Sequence, residues 1–189
     1  MRLFKDKKFS IVWLLVRVWL GYQWIEAGWH KVTDPNHIWI GAKAGTAIQG
    51  FWLKALAAKL QDGTLVALTG ADGKPVASAI KYGWYKSFLS SLVTSGSNVW
   101  FSYVIAFGEL AIGVGLILGL LTTTAAVFAA LMNMNFMLAG SASTNPVLYT
   151  VAILIVIAGA NAGWLGADRF VLPIVRKLSG RGQAASSAA

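Results

Sequence analysis

Apolar residues gather into four long runs, separated by short polar breaks and by one long mixed segment. The runs are Phe9–Trp29, Val99–Leu121, Thr123–Gly140 and Pro146–Leu165. About 20 consecutive apolar residues cross the hydrocarbon core of a bilayer, so each run predicts a transmembrane helix. Only a few residues join the last three runs, and such short connections make neighbouring helices antiparallel. The pattern therefore predicts an all-α integral membrane four-helix bundle.

The long segment 30–98 carries two apolar stripes at helical spacing, which predict amphipathic helices over Thr46–Leu60 and Val76–Val93. The stripes are Ile48, Trp52, Leu56 and Leu60 in the first, and Ile80, Trp84, Phe88 and Leu92 in the second. The intervening "TGADGKP" is typical of a turn. We expect the two helices to cover the outer mouth of the bundle. The alternative is a small soluble subdomain.

Basic residues flank the apolar region at both ends, namely Arg2, Lys5, Lys7 and Lys8 before it, and Arg169, Arg176, Lys177 and Arg181 after it. Such flanks favour the cytoplasm, and an even number of spans leaves both ends on one side. This predicts a multi-pass protein with its N- and C-termini inside. Arg17 interrupts the first run and no cleavage site follows it, so we interpret that run as a retained anchor. Residues 1–175 form one predicted domain, and 176–189 a disordered tail.

The composition agrees with membrane insertion, since 57% of the residues are hydrophobic and 12% are charged. The absence of cysteine excludes thiolate catalysis and cysteine-ligated clusters. Two histidines, His30 and His37, are fewer protein ligands than a zinc site needs, so no metal is predicted. The net charge of +9 comes from scattered residues, whereas a nucleic-acid-binding protein clusters them, so no nucleic-acid partner is expected.

Two ionisable residues fall inside predicted spans, Arg17 in the first and Glu109 in the second. At 1.5 Å per residue, both lie near the middle of a core about 30 Å thick. A lone charge there costs at least ~2.5–3.5 kcal/mol. We therefore predict a buried Arg17–Glu109 ion pair. The pair either only holds helices in register or belongs to a polar pocket, with Glu109 and Arg17 as candidate catalytic residues.

Aromatic and polar residues near the predicted outer surface suggest a ligand site. Outer aromatic residues often form only an interfacial belt. The more specific hypothesis is that these residues form a flat binding site for a quinone ring beneath the loop 30–98. Its candidate binding residues are Trp24, Trp29, Lys31, Trp100, Asn133 and Asn135.

Several motifs resemble the DoxX family, in particular its DoxD-like branch. They are "RVWLGYQWIEAGWHKV", "WYKSFLSSLV", the GEL of the second run, the N-x-N of the third, "STNP" and a G-x-D-R ending. The resemblance implies a four-helix protein of a bacterial or archaeal cell membrane. It also implies thiosulfate:quinone oxidoreductase chemistry, in which two thiosulfates become tetrathionate and quinone is reduced. Other family members resemble parts of oxidoreductase complexes that handle oxidative stress.

The sequence leaves two main functions open. In the first, the chain is an enzyme subunit without a covalently bound cofactor. Quinone is its co-substrate, Glu109 relays protons, and Arg17, Lys31 or Lys43 holds an anion. In the second, it is a non-catalytic scaffold in the lipid bilayer. Its partner would be a second oxidoreductase subunit or a rhodanese-like sulfur-transfer protein. A transporter is a weaker third hypothesis, since no inverted repeat is visible.

Overall fold

A computed structural model describes Phe4 and residues 6–178, and these residues are mostly helical, which confirms the all-α class. After a 3₁₀ turn at Lys7–Phe9, the elements are α1 (Ser10–Val32), α2 (Thr46–Leu56), β1 (Ala58–Gln61), β2 (Thr64–Ala67), α3 (Gly83–Thr94), α4 (Asn98–Leu118), α5 (Thr122–Leu138), α6 (Asn145–Ala158), a 3₁₀ turn at Gly159–Asn161, and α7 (Asp168–Leu178). The four predicted spans begin with α1, α4, α5 and α6, but α6 ends at Ala158, seven residues before the predicted end of the fourth span.

In the described part of the chain, one helix is long and apolar enough to cross a membrane by length and composition, α4 (Asn98–Leu118). Two further apolar helical segments are shorter, Thr122–Leu138 and Asn145–Asn161. The charges of α1 lower its hydropathy, because Arg17, Glu26 and Lys31 all lie within it.

The chain divides into two compact units. The first unit comprises the described residues of Met1–Ile25, Ala111–Leu131 and Val147–Ala189. The second unit comprises Glu26–Leu110 and Met132–Pro146.

The second unit has its own hydrophobic core, built jointly by the long segment 30–98 and by residues of α4 and α5. Its buried residues are Ile48, Trp52, Ala55, Leu56, Ile80, Tyr85, Leu89, Val93, Ile105 and Ala139. The ring of Trp52 meets that of Phe101 edge to face, with 5.3 Å between centroids. The hydroxyl of Tyr85 donates to the carbonyl oxygen of Asn135 at 2.9 Å. Segment 30–98 therefore shares its core with two of the apolar helices.

A β-hairpin replaces the end of the first predicted loop helix. That helix ends at Leu56, because Ala57 adopts a left-handed conformation that ends the helical pattern of backbone hydrogen bonds. The antiparallel strands β1 and β2 follow, joined by Asp62 and Gly63, both with positive φ. Asp-Gly is a favoured pair for the two-residue turn that matches strand twist. The predicted helical position of Leu60 was therefore wrong.

The second loop helix begins at Gly83, seven residues later than predicted, and buries another face. Its buried residues are Tyr85, Leu89 and Val93, spaced four apart. Trp84 of the predicted stripe is 65% exposed. Both faces of α3 are rich in apolar residues, so the period alone could not select the buried one.

The first unit depends on a close approach of α1 and α4. A Cβ added at Gly21 would lie 2.9 Å from the carbonyl oxygen of Gly113, and one added at Gly113 would lie 2.8 Å from that of Gly21. These two glycines let the helix backbones touch. The unit also contains α7, whose last residues 176–178 were predicted to be disordered. The rest of that predicted tail lies outside the described residues.

Candidate functional site

A buried ion pair lies in the second unit, between the last turn of α1 and the middle of α4. The Nζ atom of Lys31 lies 2.6 Å from Oε2 of Glu109, and it donates a hydrogen bond to that oxygen. The side chain of Glu109 is 2% exposed and that of Lys31 is 16% exposed. The side chain of Glu109 is thus almost fully buried, while that of Lys31 is partly exposed.

Further groups hold the ammonium of Lys31 in place. It donates to the carbonyl oxygen of Ala27 at 3.2 Å, and it lies 4.9 Å from the ring centroid of Trp39. That distance allows a cation–π attraction. The hydroxyl of Ser102 on α4 donates to the carbonyl oxygen of Trp39, which fixes the segment that carries the ring.

A glycine explains why Lys31 reaches Glu109. A Cβ added at Gly28 would lie 2.8 Å from Cγ of Leu110 and 3.0 Å from the carbonyl oxygen of Ala106. Only a residue without a side chain allows α1 to approach α4 so closely. The ion pair lies one turn along α1 from this contact.

The predicted partnership between Arg17 and Glu109 is wrong. In the first unit, the guanidinium of Arg17 donates to the carbonyl oxygens of Leu116 at 2.6 Å, Ile117 at 2.9 Å and Leu165 at 2.8 Å. The first two carbonyls end α4, where helix carbonyls lack partners and the helix dipole is negative. Arg17 is 1% exposed. The hydrogen bonds to backbone oxygens offset most of the free-energy cost of burying its charge.

Two glycines make room for the guanidinium of Arg17. A Cβ added at Gly119 would lie 2.5 Å from Nη1 of Arg17, and one added at Gly166 would lie 2.9 Å from Nη2. Gly119 also has a φ of +64°, which suits the end of a helix. Arg17 therefore serves as a cap of α4, and the contacts that its guanidinium makes are structural.

Asp168 completes this arrangement in the first unit. Its carboxylate accepts hydrogen bonds from the backbone nitrogens of Leu121 at 2.6 Å and Thr122 at 2.9 Å, at the start of α5. The same carboxylate interacts electrostatically with Arg17. The sequence showed Asp168 only as part of the G-x-D-R ending. Its structural role could have been suspected from its isolation, since it is a lone acid next to an apolar run.

The other predicted binding residues are placed separately. Trp29 and Trp100 are both more than half exposed, and Trp100 lies against Phe101. Asn135 accepts from the hydroxyl of Tyr85 through its main-chain carbonyl at 2.9 Å and through its Oδ1 atom at 3.4 Å. Trp24 is buried in the first unit. Of the predicted site residues, the structure brings Lys31 and Glu109 together.

Asn133 is the buried amide of the second unit. Its side chain is almost fully buried, and within the described residues its amide nitrogen has no hydrogen-bond partner. Buried donors are nearly always satisfied, by protein groups or by ordered water.

The chemistry of the second unit's site follows from these groups. Lys31 supplies a fixed positive charge, and Glu109 can accept and release a proton. Within residues 6–178, no three His, Asp or Glu side chains cluster as metal ligands would. Comparison with known proteins finds no matching family model, no matching curated protein and no matching solved structure.

Proposed function

We propose that the chain is a multi-pass membrane protein of the DoxX type. In this proposal α1, α4, α5 and α6 form a four-helix membrane bundle, both termini lie in the cytoplasm, and segment 30–98 lies outside. The length and apolar character of α4 support it, as do the starts of the four helices, which lie within one residue of the predicted starts. The basic flanks support the orientation.

We propose further that it is a subunit of a quinone-linked oxidoreductase acting on thiosulfate or another small sulfur species. The observation that carries this proposal is the Lys31–Glu109 ion pair, in which Glu109 is buried and Lys31 is partly exposed. Ionisable groups at membrane depth are costly, and they mark ligand sites and proton pathways more often than they serve stability. In the same unit, the side-chain amide of Asn133 could donate a hydrogen bond to a carbonyl oxygen of the quinone.

The proposed reaction moves two electrons from thiosulfate to quinone. Two thiosulfate ions lose one electron each and join through a new S–S bond as tetrathionate. The quinone takes up these two electrons and two protons, and becomes quinol. Lys31 holds the anion, and Glu109 passes protons toward the quinone oxygens. Trp29 and Trp100 stay predicted contacts of the quinone at the membrane surface.

The test uses the purified protein in liposomes that contain quinone. We expect thiosulfate-dependent quinone reduction, and a strong loss of turnover in Lys31→Gln and in Glu109→Gln. Lys54→Gln is the matched control, because Lys54 is an exposed lysine on α2. A folded wild-type chain that neither binds nor reduces quinone contradicts the enzymatic proposal. That result would favour the alternative function, a non-catalytic scaffold whose partner is a second oxidoreductase subunit or a rhodanese-like protein.

A further inference from the structure

The helix α7 is too short and too charged to cross a membrane. Its 11 residues span about 16 Å, against a hydrocarbon core of about 30 Å. Arg169 and Lys177 are exposed on it. The acidic residue of this helix, Asp168, is buried and binds the start of α5, so it does not offset the exposed positive charges.

The same helix exposes large apolar side chains. Phe170 is 69% exposed and Ile174 is 59% exposed. They lie four residues apart, and so share one side of the helix. Lys177 follows Ile174 by three residues, and Arg169 precedes Phe170. The exposed apolar stripe is therefore flanked by basic groups at both ends.

The segment before α7 has the same character. Trp164 and Leu165 are both substantially exposed, and Nζ of Lys7 lies 3.9 Å from the ring centroid of Trp164. Tryptophan and lysine together are typical of the boundary between headgroups and acyl chains. An apolar stripe that dips into the acyl region beside lysine and arginine at the headgroups is the pattern of an interfacial helix.

We propose that α7 lies in the plane of the membrane surface and binds anionic phospholipids. Phe170 and Ile174 enter the acyl boundary, and Arg169 and Lys177 contact phosphate groups of lipids with net negative charge. Charge complementarity favours an anionic lipid surface, since the exposed apolar residues lie between two exposed cations. The inference rests on the membrane part of the proposed function and is independent of its sulfur and quinone chemistry.

The test exploits the absence of native cysteine. An Ile174→Cys variant carries an environment-sensitive fluorophore, in the full chain reconstituted into phosphatidylcholine vesicles. These vesicles contain a small, equal fraction of either brominated phosphatidylcholine or brominated phosphatidylglycerol. We expect bromine to quench the fluorophore, and phosphatidylglycerol to quench more strongly. Each basic residue near the surface contributes up to about a fivefold preference, equivalent to ~1 kcal/mol.

The controls separate charge recognition from simple contact with lipid. Arg169→Gln combined with Lys177→Gln should bring the two quenching curves together while quenching persists, and high salt should act in the same direction. A fluorophore at Asp72→Cys, in the exposed turn after β2, should remain unquenched. Unchanged tryptophan emission shows that each variant is folded.

Two results overturn the proposal. Equal quenching by both lipids in the wild-type background would show apolar contact without anion recognition. No quenching by either lipid would show that protein, such as a second copy of the chain, covers the exposed stripe of α7. Neither result depends on quinone turnover, so failure of this proposal is distinguishable from failure of the proposed chemistry.

Discussion

Removing the charge of Lys31 should destabilise the protein more than removing that of Glu109. Lys31→Met keeps an aliphatic chain of similar length but leaves the carboxylate of Glu109, 2% exposed, without its cation. Stranding a buried charge in this way costs about 3–5 kcal/mol. In a chain of this size that corresponds to a fall in melting temperature of about 6–20 °C.

Glu109→Gln is milder for two reasons. The amide oxygen of glutamine can still accept a hydrogen bond from Lys31, and the ammonium keeps the carbonyl of Ala27 and the ring of Trp39. Lys31 is also partly exposed, so its charge can reach a more polar environment. The expected loss is about 0.5–1.5 kcal/mol, the net worth of an ordinary hydrogen bond.

The double variant tests the pairing itself. With both charges removed, no group is left stranded, so the loss should be clearly smaller than the sum of the single losses, by about 0.5–3 kcal/mol. The assay is thermal unfolding in detergent, followed by tryptophan fluorescence. Lys54→Met, at an exposed site on α2, should change stability by less than about 0.5 kcal/mol. Additive losses, or a Lys31→Met variant as stable as this control, would refute the reasoning.

Two further predictions concern the capping carboxylate and the buried phenol. Asp168→Ala removes two charge-assisted hydrogen bonds at the start of α5, so we expect it to lower the free energy of unfolding by about 1–3 kcal/mol, measured by thermal unfolding. Asp168→Asn keeps an acceptor oxygen and should lower it by less. Equal losses in the two variants would contradict the capping role. Burial raises the pKa of Tyr85 to about 12, from an ordinary value of 10.0. The folded state thus keeps the phenol protonated where the unfolded chain ionises. The stability from Tyr85 is full below pH 10 and is lost as pH rises toward 12. Tyr85→Phe should flatten this alkaline decline in denaturant titrations, and an unchanged decline would contradict the cause.

The sequence by itself determined where the long helices lie. Apolar runs of helical length recur four times, and α1, α4, α5 and α6 begin within one residue of the predicted starts. This succeeds because an apolar run must bury its backbone polar groups, and a helix satisfies them locally. The hairpin was missed, because the apolar spacing that ends at Leu60 was interpreted as helical and the turn signal of Asp62-Gly63 was not used.

Only the tertiary structure decided which charges meet. Depth along each helix placed Arg17 and Glu109 at one level, but depth says nothing about which way a side chain points or where a neighbouring helix ends. Arg17 is satisfied by main-chain carbonyls, which every residue carries and which leave no signature in the sequence. Glu109 meets Lys31 because Gly28 permits a close approach of two helices, and the position of that approach depends on the packing of the whole unit.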